Sequence, residues 1–168
     1  MNTLALFALL ASPVQDKEDP NLEALRSAWT TIIEQANADK IDDVKKTIAG
    51  WKISKEEFTT LFGEEKAKSA YATYETFWKD VEQEAAADIV KRIKEKKYDT
   101  VDVWCVNSAD PKSVSGNEKT VIDSLASKET KVYSIRLRTA SDKSGFTLVC
   151  FFKVGAGWRA GFKVGRYL

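Results

Sequence analysis

The sequence predicts an α+β domain, with helices in the first half and an antiparallel sheet in the second. Three observations carry this. Up to about residue 97 the apolar residues recur at helical spacing. After residue 99 the period drops to two, as in half-buried strands. The strand-like stretches follow one another through polar turns, an order that fits a meander rather than parallel βαβ units.

The first helix opens at "DPNLEALRSAWTTIIEQA", where Asp19 can cap and Pro20 suits the first helical position. Leu22, Leu25, Trp29, Ile32, Ile33 and Ala36 form its apolar face. A second, short helix carries Ile41, Val44 and Ile48 and stops at Gly50. In "SKEEF", Ser54 and Glu57 make a capping box, each able to satisfy a free backbone N–H at the helix start. A long amphipathic pattern over 64–97 follows, including Tyr74, Phe77, Trp78, Val81, Ala85, Ile89 and Ile93. As one straight helix it would measure about 50 Å, so a bend or an overhang is expected. "TVDVWCV" and "VYSIRLRT" then read as strands, with a short helix at "TVIDSLAS" between them.

The last 23 residues, "FTLVCFFKVGAGWRAGFKVGRYL", read as two strands around a glycine turn. A three-residue loop at 155–157 would pair Val154 with Trp158, Phe152 with Ala160 and Cys150 with Phe162 on the core face. The other face would pair Lys153 with Arg159, Phe151 with Gly161 and Val149 with Lys163. With Arg136 and Arg138 from the preceding strand, this makes a basic face on which Phe151 is an exposed apolar contact. Two readings stay open. The face is a contact surface for an anionic polymer or an acidic protein, or it is a solvated face covered by the acidic helical half.

Charge supports that asymmetry. The chain of 168 residues carries a net +1. After Thr130 there are eight cations against Asp142 alone, a net +7 that leaves −6 for residues 1–130. So even a balance argues against a strongly basic nucleic-acid binder, and no nucleic acid is expected. The chain has no histidine and two cysteines, which removes the commonest general base, the commonest zinc ligand and any cysteine-rich metal site. No glycine-rich phosphate loop or metal-ligand spacing is present, so no cofactor, metal site or catalytic residue is predicted. Cys105 and Cys150 fall on strands separated by a third, about 9–10 Å apart. A disulfide requires less than ~7 Å between Cα atoms, so two buried free thiols are expected.

"LALFALLA" at 4–11 is far shorter than a membrane span and fits the apolar region of a secretory signal. The expected organisation is a signal and short linker over 1–15, then one domain over 16–168, secreted or periplasmic.

In "LRSAWTTIIEQANADKIDDVKKTIA" and "FTLVCFFKVGAGWRAGFKV" the chain resembles the nuclear transport factor two-like superfamily. There, helices pack on a curved antiparallel sheet in a cystatin-like roll. The resemblance implies that fold and leaves function open, because the superfamily holds enzymes, ligand binders and interaction modules. The leading expectation is an exported, non-catalytic binding or protein-interaction domain. Its site residues would be Arg136, Arg138, Lys153, Arg159, Lys163 and Phe151. The alternative is a small ketosteroid-isomerase-like enzyme or a hydrophobic-ligand pocket, built on a carboxylate in an apolar cone with tyrosine donors. For that reading Asp102, Tyr71 and Tyr74 are the residues to weigh.

Overall fold

A computed structural model describes residues 19–107 and 114–168. The expected signal and linker therefore lie outside the described residues. The chain is α+β. Its helices are α1 (Pro20–Asn37), α2 (Ile41–Ala49), α3 (Lys55–Phe62), α4 (Glu64–Asp80), α5 (Ala86–Lys96) and α6 (Gly116–Ser124). A π-helical turn, Val81–Ala85, joins α4 to α5. Strands β1 (Thr100–Cys105), β2 (Tyr133–Arg138), β3 (Gly145–Val154) and β4 (Gly157–Ala160) form one antiparallel sheet in sequential order. A 3₁₀ turn, Val164–Arg166, follows β4.

The helix starts are the ones the chemistry dictates. Asp19 accepts the Asn21 N–H at 3.1 Å, with Pro20 behind it. Ser54 and Glu57 close a reciprocal capping box at α3. A second box, Ser115 with Glu118, starts α6 four residues before the expected start at Thr120. The long helix is not one continuous α-helix: in the π turn, the Ala86 N–H bonds to the Val81 carbonyl five residues back.

Asp19 also ties α1 to the sheet. It accepts from the Tyr133 hydroxyl and from Lys131 Nζ, each at 2.9 Å. Burial works to raise its pKa. Hydrogen bonds from Lys131, the Asn21 amide and Tyr133 outweigh burial and hold Asp19 below its ordinary 3.8. A lowered carboxylate pKa adds stability above the ordinary value, and that stability is lost as pH falls through the folded one. Asp19→Ala should cost about 1–2 kcal/mol at pH 7, from the lost cap and the charged hydrogen bonds. Urea unfolding of both proteins at pH 7 and pH 3 checks this, and the gap should narrow at the lower pH.

The sheet departs from the expected register at its end. Tyr133 pairs with Phe151 and Ile135 with Leu148, so Ser134 faces both Val149 and Cys150. This is a β-bulge, with Cys150 in the left-handed region at φ 67°. The hairpin loop has two residues, Gly155 and Ala156, because Val154 pairs with Gly157. The extra residue inverts the alternation beyond it. Phe151 therefore turns inward, and Lys153 pairs with Trp158 rather than Arg159. The exposed-contact role expected for Phe151 is corrected: it is 0% exposed, edge-on to Trp29 and Trp51 with ring centroids at 5.9 and 5.8 Å.

Phe152, on the opposite face, is buried as well, edge-on to Phe62. Gly161 allows this tight closure. A Cβ there would stand 2.8 Å from the Phe152 ring and 2.9 Å from Val164. Both cysteines are free thiols; Cys150 is buried, but Cys105 is only half-buried, with its Sγ 3.5 Å from Asn107 Oδ1.

Candidate functional site

The cations expected to act together are distributed over four surroundings. Arg138 forms a bidentate pair with Asp102, at 2.7 and 3.0 Å, on the outer face of β1 and β2. Arg136, on that same face, lies over the Trp104 ring at 5.8 Å. Arg159 reaches from β4 to α3, where it grips Glu57 through two contacts of 2.7 Å. Lys153 folds onto its own hairpin, with Nζ 2.7 Å from the Ala156 carbonyl and 5.3 Å from the Trp158 ring centroid. Lys163 lies past the end of β4, exposed, 5.2 Å above the Phe77 ring. The bulge is what separates Lys153 from the arginines, by moving it to the other face of the sheet.

Lys163 borders a groove of about 410 Å³ with an apolar floor, between the long helix and the first half of β3. Its floor is Phe77, Val81, Ile89, Phe146, Leu148 and Phe162. Phe162 stacks on the fully buried Trp78, with ring planes 10° apart and centroids at 5.9 Å. Phe146 and Leu148 are half-buried, so the apolar surface is open to a ligand. The volume falls within the ~300–1,000 Å³ of small-molecule sites.

The π turn shapes this groove. A four-residue step in an α-helix drifts by about 40° around the axis, since 3.6 residues make a turn. The wider π turn takes up that drift midway. Phe77, Val81, Ala85 and Ile89 thus stay along one wall, and Asp80, Glu84 and Asp88 stay along the rim beside them. Arg92 extends the rim and covers the Phe146 ring at 4.9 Å. Among the described residues, Asp80, Glu84 and Asp88 form no ion pair. The sequence held a signal for this wall. The apolar step of four at 77, 81, 85, 89 and 93 is too regular for an uninterrupted α-helix, which would turn it away from the sheet.

The residues weighed for catalysis have structural partners. The Tyr74 hydroxyl accepts the Ile53 N–H at 2.9 Å and donates to the Ala160 carbonyl at 3.2 Å. Burial pushes its phenol far up. Tyr71 packs edge-on against Phe58. The one buried acid among the described residues, Glu118, lies in the first turn of α6, away from the groove. It accepts from the Ser134 hydroxyl at 2.5 Å and the Ser115 N–H at 2.7 Å, so both its oxygens are used. No cluster of metal-ligating side chains occurs among the described residues. None of the described helices is long and apolar enough to cross a membrane.

No family model matches the chain, and neither a curated protein nor a solved structure matches it.

Proposed function

We propose that this chain is a non-catalytic binding module, exported from the cytoplasm, whose contact surface is the groove between the π-bulged helix and β3. The observation that carries the reading is the open apolar floor of Phe77, Phe146, Leu148 and Phe162, beside a helix whose hydrogen-bond ladder is interrupted at that point. π turns of this kind recur at functional sites. Helices packed on an antiparallel meander also fit a nuclear transport factor two-like roll, in which the groove would occupy the space between helix and sheet. Binding is favoured over isomerase-like chemistry because the apolar floor holds no carboxylate, and the Tyr74 hydroxyl is taken up by backbone groups. Export rests on the apolar run at 4–11.

The test uses a neutral, environment-sensitive naphthylamine dye. The parent protein should enhance its emission saturably, and Trp78 emission should shift because Trp78 stacks on the groove's Phe162. Ala85→Trp, which places a ring in the groove from its half-buried wall, should weaken dye binding at least tenfold. Its circular dichroism should stay unchanged. Equal dye binding by the folded variant would reject the groove as the site.

A further inference from the structure

We infer that the groove receives an extended peptide segment that adds a strand to the free edge of β3, with basic side chains whose apolar stems lie over the groove floor and whose charges end at the acidic rim. The inference rests on the groove being the binding surface.

The first observation is an unpaired edge. β3 has ten residues and β4 only four, and their ladder covers just 151–154 on β3. One more backbone bond, from the Gly161 N–H to the Cys150 carbonyl at 2.7 Å, closes the pairing. The chain then leaves the strand. Lys163 takes a left-handed conformation at φ 57° and leads into the 3₁₀ turn. On that side of residues 145–149 no hydrogen bond is made among the described residues. Unpaired strand edges are templates for another strand, and natural sheets cover, charge or shorten them. This one is instead bordered by an open groove, into which Phe146 and Leu148 face.

The second observation is charge. Asp80, Glu84 and Asp88 follow at four-residue spacing along the opposite rim without ion pairs. Like charges at this spacing disfavour a helix. Eight helical residues span about 12 Å, and five strand residues about 16 Å. A strand lying on the free edge therefore runs past all three carboxylates. Strand side chains alternate between the two sheet faces, so the set on the helix side must serve floor and rim together: a lysine there lays its apolar stem over the floor and brings its ammonium to the carboxylates.

The probe is a fluorescein-labelled, capped nonapeptide alternating lysine and valine, titrated into the full chain and followed by anisotropy. Saturable binding is expected, with amide hydrogen exchange in 145–149 slowed at least tenfold. N-methylation of alternate peptide residues, which removes the N–H groups a β-ladder needs, should weaken binding at least tenfold. So should the triple variant Asp80→Asn, Glu84→Gln, Asp88→Asn, with loss of most of the salt dependence. Equal binding of the N-methylated peptide would overturn the strand-addition geometry, and equal binding by the triple variant would overturn the basic character. If the naphthylamine dye binds the groove and the peptide does not, the peptide inference falls while the groove stands. If neither binds, the groove reading itself falls. A homodimer that buries 145–149 against a second copy would also overturn the inference.

Discussion

Phe151→Ala should destabilise the protein by about 3–5 kcal/mol, the usual cost of removing a fully buried aromatic ring. Three edge-on partners surround it: Trp29, Trp51 and Phe162, with Phe162 at 5.5 Å. Each such pair adds about 0.5–1.5 kcal/mol beyond area burial. Domains of this size are stable by about 5–15 kcal/mol, so the variant should stand near unfolding. Phe151→Leu should lose far less, because much of the volume stays. Phe146→Ala, on the half-buried groove wall, should also lose less. Urea midpoints at constant m-value rank the three. A Phe151→Ala cost below 0.5 kcal/mol would be that of an exposed residue and would contradict the bulge that turns the ring inward.

That ring marks where sequence reasoning stopped. Period-two alternation puts Phe151 and Lys153 outside with Val149, and it holds from Phe146 to Leu148. It fails at Cys150, because one non-glycine residue takes a left-handed conformation that no sequence signal announces. Residues 151–154 change face, the two-residue loop keeps Trp158 and Ala160 on the core face, and the supposed row of facing cations separates. The helices were legible for the opposite reason. Asp19 with Pro20, and Ser54 with Glu57, are local chemistry that acts within one turn. The Ser115–Glu118 box has the same signature, but Gly116 and Asn117 between its members resemble a turn and mask the helix start. The groove was half legible. Its apolar wall was visible as a periodicity, but the free edge of β3 depends on where the chain leaves β4, which only the three-dimensional course decides.

Arg159→Met should lower stability by about 1.5–3 kcal/mol, whereas Lys163→Met should leave it within about 0.5 kcal/mol. The two cations belong to different parts of the structure. Arg159 and Glu57 side chains are 23% and 20% exposed, and their bidentate contact joins β4 to the start of α3. Glu57 also accepts the Ser54 N–H at 2.9 Å, so losing the arginine leaves a mostly buried carboxylate with its capping bond alone. The hydrogen bond from Arg159 is the main influence on Glu57. With help from Ser54, and against burial, it holds the carboxyl below its ordinary 4.5. The stabilisation is therefore complete above pH 4.5 and disappears as pH falls through the lowered folded value. The parent should lose stability steeply on acidification in that range. Arg159→Met should lose less there, so the two unfolding curves converge at low pH. Lys163, exposed over Phe77 at the groove rim, has no such partner among the described residues, and its removal should be felt in peptide or dye binding. An Arg159→Met variant with an unchanged melting temperature would mean that the cation on β4 is a contact and not part of the seam between sheet and helix.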